Sequence, residues 1–166
     1  MEIISKPSPN FGSRKGAPIN CIVLHDTGGK TAESTLSWFA SENSKVSAHY
    51  LIDRDGLVYQ CVPDDKQAWH AGVSELWGVK NCNFFSIGIE LVDDDDQTPY
   101  TELQLHSLIQ MCTDLCMKYT IPLNRIVGHE HIALPKGRKA DPGIDLNWFE
   151  LLAAIGSHVA DRILGE

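Results

Sequence analysis

Phe84–Val92, which reads Phe-Phe-Ser-Ile-Gly-Ile-Glu-Leu-Val, is the most apolar run of the chain. A short and nearly continuous apolar run is typical of a buried strand. We therefore expect this segment to be the central strand of a sheet, with the rest of the chain arranged around it. The acidic run that follows, Asp93–Asp96, is expected to be a solvated loop.

Other segments supply neighbouring strands. Asn20–His25 is a second apolar run, and Arg125–Val127 indicates a short strand. Lys45–Asp53 and Leu57–Val62 flank an Asp-Gly turn and predict a hairpin. Residues 63–83 are expected to form a long connecting loop, which in a compact domain is usually functional.

Capping residues and apolar periodicity predict three helices. They run from Thr31 to about Asn43, from a capping box at Thr101 and Gln104 to about Tyr119, and from Asn147 onward. Residues 1–19 are expected to be an extended lead segment, and the chain has no internal repeat or linker. The sequence therefore predicts one domain over residues 1–166, an α/β fold with a single mixed β-sheet flanked by helices.

Composition excludes several functional classes. A formal net charge of −8 argues against a general nucleic-acid binder, which is normally basic. The apolar runs are too short to span a bilayer, and the N-terminus lacks the apolar core of a signal peptide. The five cysteines form no Cys-x-x-Cys pattern, so we expect reduced thiols. We expect a cytoplasmic monomer that does not insert into membranes.

The strongest chemical signal lies in Gly128–Gly143. A strand delivers His129 to its end, a loop rich in proline and glycine returns Asp141, and His25 ends another strand. Two imidazoles and one carboxylate are a ligand set suited to zinc. Histidines at strand ends are more often packing or surface residues, however. His131 also competes with His129, because strand alternation would put both on one side.

Two charged residues fit a hydrolytic site. Glu90 interrupts the central strand, where a carboxylate is costly unless it faces a polar site or a partner. It is either a general base or a strand-end glutamate that faces solvent or a lysine. Lys139 either stabilises a developing oxyanion or is a solvated loop residue. With Lys136 and Arg138 it forms a basic cluster that would attract an anionic substrate.

Six segments occur in an order that resembles one known family. They are Ile22-Val23-Leu24-His25, Val46 to Gly56, Ala68-Trp69-His70-Ala71-Gly72, Asn83 to Leu91, Gly128-His129, and Arg138 to Gly143. Over about residues 18–150 they resemble the zinc-dependent N-acetylmuramoyl-L-alanine amidases. This type 2 amidase family includes the AmpD recycling enzymes and the peptidoglycan recognition proteins, and their fold is the one we expect.

The resemblance implies hydrolysis of the amide between N-acetylmuramic acid and L-alanine in peptidoglycan or muropeptides. By the same resemblance, Zn²⁺ would be bound by His25, His129 and Asp141, and Glu90 and Lys139 would be catalytic. This favours His129 over His131 as a ligand. The tyrosine used by the phage and animal branches is replaced here by Ala48, so Glu90 fits the AmpD-like branch.

Substrate contacts are expected at Asp26, Lys45, Trp69, His70 and Asn81. Trp69 and His70 fit a wall that contacts sugar or peptide, although the rim of an ordinary core fits equally well. As we align the AmpD branch, it has Asn where this chain has Asp26, and Arg where this chain has Lys45 and Asn81. We therefore expect a weaker preference for the anhydro sugar than that branch shows.

Three alternatives stay open. The same chemistry could serve a phage or prophage endolysin that is released to the wall. The lack of an appended wall-binding module favours muropeptide recycling over this alternative. A non-catalytic recognition module could use the same fold, but such relatives lose a metal ligand and this chain keeps all three. An unrelated zinc hydrolase is disfavoured because there is no His-Glu-x-x-His helix.

Overall fold

The computed structural model describes residues 2–93 and 99–165. Its strands are β1 (Ile3–Ser5), β2 (Phe11–Ser13), β3 (Cys21–Asp26), β4 (Tyr50–Ile52), β5 (Val58–Gln60), β6 (Lys66–Ala68), β7 (Glu75–Leu76), β8 (Val79–Lys80), β9 (Ser86–Leu91) and β10 (Ile126–Gly128). Its α-helices are α1 (Ala32–Ala40), α2 (Glu102–Tyr119), α3 (His129–Ile132) and α4 (Trp148–Leu164), with 3₁₀ turns at Cys82–Phe84 and Leu123–Arg125.

Six strands form the main sheet in the order β1–β5–β4–β9–β3–β10. β9 pairs in parallel with β3 and with β4, and β10 pairs in parallel with β3. β4 and β5 form the antiparallel hairpin that the Asp-Gly turn predicted. The predicted mixed sheet, with the most apolar strand near its centre, is therefore confirmed.

The two faces of this sheet have different roles. Alternate side chains of β3 and β9 pack with α2 and α4 in the main core, and they are Ile22, Leu24, Ile87, Ile89 and Leu91. On the opposite face, Val23 packs with Ile132 of α3 and with residues between 71 and 85. Because side chains alternate along a strand, His25, Gly88 and Glu90 belong to this second face.

Local capping signals locate the helices well. Thr101 accepts a hydrogen bond from the Gln104 N–H, and the Gln104 side chain accepts one from the Thr101 N–H, both at 3.1 Å. This confirms the predicted capping box, and α2 ends at Tyr119 as expected. Asn147 caps α4 by accepting from the Glu150 N–H at 3.3 Å. α1 is shorter than predicted and ends at Ala40.

Regions without clear periodicity were predicted less well. The lead segment is not merely extended, since β1 pairs with β5 and β2 pairs with β6. The segment 63–83 contains β6 and the β7–β8 hairpin, so it is not an irregular loop. The predicted strand Lys45–Asp53 is regular only over β4. Asp93 is buried, contrary to the expected solvated loop, and Asp94–Asp96 lie outside the described residues.

Two expectations from composition can be compared with the structure. All five cysteines are buried and unpaired, which agrees with the reduced thiols predicted. Within residues 2–93 and 99–165, no helix has both the length and the apolarity needed to cross a membrane.

Candidate active site

The candidate site lies where parallel strands end at one edge of the sheet. His25 of β3 is directly beside Glu90 of β9 in the strand register. Gly128 of β10 pairs with Leu24, so the next residue, His129, leaves its strand beside His25. The carboxyl ends of parallel strands are where open α/β sheets usually bind ligands. Strand order and register therefore bring three candidate residues together from distant parts of the sequence.

His25, His129 and Asp141 converge on one point. His25 Nδ1 lies 3.1 Å from His129 Nδ1 and 3.0 Å from Asp141 Oδ2, and His129 Nδ1 lies 2.9 Å from the same oxygen. Ligand atoms about 2.0–2.1 Å from a tetrahedral zinc would be about 3.3 Å apart. Among the His, Cys, Asp and Glu residues in the described part of the chain, these three form the group whose ligand atoms are close enough together to bind a metal ion.

The protonation of the cluster suits a cation. His129 Nε2 lies 3.1 Å from the Ala71 carbonyl oxygen, which only accepts, so a neutral His129 ring carries its proton on Nε2 and its lone pair on Nδ1. Burial lowers the pKa of His25 to about 4, so this imidazole is neutral at pH 7. A charged oxygen and imidazole lone pairs face one another, so the donor set fits a zinc ion.

Asp141 reaches this cluster because its loop is tied to the rest of the site. Its carbonyl oxygen accepts a hydrogen bond from the Glu130 N–H at 3.0 Å, at the start of α3. Arg138 donates to the carbonyl oxygens of Leu134, at 2.8 Å, and Val73, at 3.0 Å. The loop that carries Lys139 and Asp141 is thereby fixed against the segment behind the histidines.

Glu90 lies beside His25 at the edge of this cluster. Its side chain is buried, and Oε2 has no hydrogen-bond partner among residues 2–93 and 99–165. Burial, followed by the charges of Asp141 and Asp26, raises its pKa well above the usual range, whereas Lys139 opposes the shift. A cavity of about 320 Å³ is lined by Glu90, Lys139 and the three candidate ligands.

The residues proposed to contact substrate divide into groups. Asp26 lines the same cavity as Glu90. Lys45 and Trp69 line an adjoining cavity of about 280 Å³ that shares His129 and Lys139 with the first.

Asn81 is placed differently from an open cleft wall, whereas His70 lines both cavities from a largely buried position. His70 is only 7% exposed and lies behind His25, with its Nδ1 2.9 Å from His25 Nε2. Asn81 lies outside the residues that line either cavity and is exposed at the start of a 3₁₀ turn. Its left-handed backbone (φ 62°) reverses the chain there, and Asn83 lines the second cavity instead.

The choice between two neighbouring histidines is explained by local structure. Residues 129–132 form a helical turn, so the strand alternation expected to put His129 and His131 on one side does not apply. His131 Nδ1 accepts a hydrogen bond from the Gly128 N–H at 2.9 Å, and its ring packs edge-on against Trp148. His131 therefore stabilises the start of this turn, while His129 points into the cluster.

Two polar residues of the site were not singled out from the sequence. Asn83 Oδ1 accepts from the backbone N–H groups of His70, at 3.2 Å, and Ala71, at 2.8 Å. Ser86 Oγ lies 3.0 Å from His70 Nε2. Both residues belong to one of the segments that carry the family resemblance, but their partners are set by long-range contacts that no local pattern shows.

Comparison with known proteins identifies the class of protein that this fold and site define. Residues 15–144 match the family described as N-acetylmuramoyl-L-alanine amidase, and the chain belongs to this family. Among individual relatives, it is 46% identical over 116 residues to 1,6-anhydro-N-acetylmuramyl-L-alanine amidase AmpD of Salmonella typhimurium (strain SL1344). That alignment covers 69% of this chain and 60% of the relative, so the match spans less than two thirds of the relative's length.

Solved structures agree with this placement. A selenomethionine AmpD derivative has a TM-score of 0.81 and 35% identity, with 92% of this chain and 94% of that chain covered. AmiD from E. coli, in complex with anhydro-N-acetylmuramic acid-L-Ala-D-gamma-Glu-L-Lys, has a TM-score of 0.73 and 28% identity, covering 87% and 65%. A mutant endolysin from Bacillus subtilis has a TM-score of 0.72 at 24% identity, covering 94% and 99%, which shows a common fold alone.

Proposed function

We propose that this protein is a zinc-dependent amidase that hydrolyses the bond between N-acetylmuramic acid and L-alanine. The observation that carries the proposal is the convergence of His25, His129 and Asp141 within 3.1 Å of one another, with Glu90 and Lys139 lining the same cavity. A recognition module would not need a buried carboxyl with a raised pKa beside such a cluster.

His25, His129 and Asp141 would hold the metal, which when bound lowers the pKa of its water to about 7 and polarises a carbonyl. Glu90 would accept a proton from the attacking water at Oε2 and later deliver it to the nitrogen of the departing L-alanine. A carboxyl whose pKa is raised can both take and return a proton near neutral pH. The Lys139 ammonium would stabilise the negative charge that develops on the carbonyl oxygen.

We infer that the substrates are soluble muropeptides, cleaved during cell-wall recycling. The support is the similarity to AmpD enzymes, whose name specifies the 1,6-anhydro sugar, and to AmiD with a bound anhydro-muropeptide. Lys45 and Trp69 would contact the substrate in the second cavity, with Asp26 in the first. Cytoplasmic action as a monomer, and a weaker preference for the anhydro sugar than that of AmpD, stay predictions.

Metal analysis and product analysis test this proposal together. The purified protein should contain about one zinc, and verified chelation should abolish release of the stem peptide until zinc is restored. His129→Ala should lose zinc, whereas the matched control His131→Ala should keep it, because only His129 faces the cluster. Full activity without metal, or zinc loss from the His131 variant alone, would refute the assignment.

The role of Glu90 needs a variant that preserves shape. Glu90→Gln should lower turnover about 10²–10⁴-fold while zinc stays bound, since an amide cannot carry the proton. Mass spectrometry of the products from a defined muropeptide measures this loss. Near-normal turnover in this variant, or binding of the muropeptide by the zinc-loaded wild type with no cleavage, would contradict the proposed enzyme.

A further inference from the structure

A chain of buried hydrogen bonds runs from His25 away from the candidate metal site. His25 Nε2 lies 2.9 Å from His70 Nδ1, His70 Nε2 lies 3.0 Å from Ser86 Oγ, and Ser86 Oγ lies 2.7 Å from the Cys82 carbonyl oxygen. All these polar atoms come from residues that are at most 7% exposed. The chain therefore ends inside the protein, at a group that can only accept.

The direction of each hydrogen bond follows from that last acceptor. A contact of 2.7 Å between two oxygens requires a proton between them, and a carbonyl has none, so the Ser86 hydroxyl donates to Cys82. Ser86 Oγ then accepts from His70 Nε2–H, which leaves His70 Nδ1 as an acceptor. His25 must donate from Nε2, and its Nδ1 keeps the lone pair that faces His129 and Asp141.

Packing holds the intermediate ring in place. An added Cβ at Gly88 would lie 2.5 Å from His70 Cγ, so the backbone of β9 lies directly against the imidazole ring. The His70 N–H is bonded to Asn83 Oδ1, which also accepts from the Ala71 N–H. The neighbouring Ala71 carbonyl accepts from His129 Nε2. His70 and Ala71 are adjacent in the sequence, so one segment contacts both histidine ligands through the ring nitrogens that face away from the candidate metal site.

We propose that His70, supported by Ser86, is a positioning residue that fixes the tautomer and ring orientation of His25 for metal binding. This inference rests on the proposed zinc function and adds a second role to His70, which also lines both cavities of the site. Partners behind a ligand commonly contribute 10–100-fold in metal affinity, because they hold the ligating nitrogen unprotonated and correctly aimed. The Ser86 hydroxyl contacts His70 Nε2 and the Cys82 carbonyl oxygen, so its effect on His25 must pass through His70.

A pair of substitutions separates positioning from packing. His70→Phe keeps a flat ring but removes the acceptor, and His70→Asn places an amide oxygen near the position of Nδ1. We expect the zinc dissociation constant, measured by competition with a chelator, to rise about 10–100-fold in His70→Phe and to recover in His70→Asn. Equal affinities in His70→Phe and wild type, or equal losses in both variants, would overturn the proposal.

A spectroscopic test needs neither zinc nor activity. In the metal-free protein, ¹⁵N chemical shifts should show His25 protonated at Nε2, and Ser86→Ala should mix the two tautomers while leaving the fold intact. An Nδ1-protonated His25 in the wild type, or an unchanged tautomer in Ser86→Ala, would refute the relay. Failure of the wild type to bind zinc would instead refute the proposed function, which keeps the two outcomes distinct.

Discussion

Gly88→Ala should damage the site from the strand behind it, without touching a candidate metal ligand. The new methyl group would lie 2.5, 2.6 and 2.8 Å from three ring atoms of His70. Carbon atoms in contact prefer about 3.5–4.0 Å, so the ring would have to move by about 1 Å. A shift of that size would stretch the hydrogen bonds of His70 to His25 and Ser86, now 2.9 and 3.0 Å, beyond bonding distance.

The magnitude follows from two separate costs. Overpacking a dense interior costs about 1–3 kcal/mol, and each lost hydrogen bond costs about 0.5–1.5 kcal/mol. With two hydrogen bonds lost, we therefore expect the free energy of unfolding to fall by about 2–6 kcal/mol, which for a chain of this size lowers Tm by about 4–24 °C. Zinc affinity should fall about 10–100-fold, because His25 loses the partner that aligns it.

The measurement is urea unfolding of the metal-free protein, followed by a chelator-competition titration with zinc. Gly156→Ala is a matched control within α4. Its added Cβ would approach only the flexible Cδ1 of Leu123, at 3.1 Å. Alanine is preferred to glycine in a helix by about 1 kcal/mol, so this control should be neutral or stabilising. A Gly88→Ala protein within about 0.5 kcal/mol of the wild type would refute the packing argument.

Two further predictions concern a buried carboxylate and the substrate. Asp64 accepts hydrogen bonds from Tyr50, Lys118 and Tyr119, and although burial raises its pKa, these donors hold it below the usual range. The stabilising contribution of Asp64 is therefore present above about pH 4 and is lost as the pH falls through its folded-state pKa. Asp64→Asn should lower the free energy of unfolding by about 2–3 kcal/mol at pH 7. In urea titrations, this variant should also show a weaker loss of stability in acid. Lys45→Ala should raise KM for a muropeptide more than it lowers kcat, because a contact with a stem carboxylate is made in ground and transition states alike; an unchanged KM would exclude Lys45 from binding.

Features encoded locally were predictable from the sequence. The capping box of α2 depends on two side chains three residues apart, so Thr101 and Gln104 could be identified without knowing the fold. The burial of β3 and β9 is likewise visible in their apolar runs. The site needed more information, because spacing alone left His129 and His131 as alternatives and only the family resemblance separated them.

Features that depend on distant partners could not be predicted. β2 and β6 have three residues each and pair across more than fifty positions, so neither has a periodicity of its own. Ser86 is an ordinary small residue in the sequence, and its contact with His70 depends on how the segment before β9 folds back over the sheet. His70 was predicted to be a cleft residue and does line both cavities, but its loop position and aromatic neighbour carry no information about its hydrogen bonds to His25 and Ser86.

The parallel register of β3 and β9 determines both the packing of the main core and the positions of the site residues. His25 and Glu90 lie side by side on one face, while Leu24 and Ile89 lie side by side on the other, within the main core. A slip of β3 by one residue would turn His25 toward α2 and α4 and would turn Leu24 into the cleft. Burying an imidazole there while exposing leucine is strongly unfavourable. The hydrophobic core thus selects the register that forms the site, because a chain with β3 out of register would be too unstable to present misplaced metal ligands.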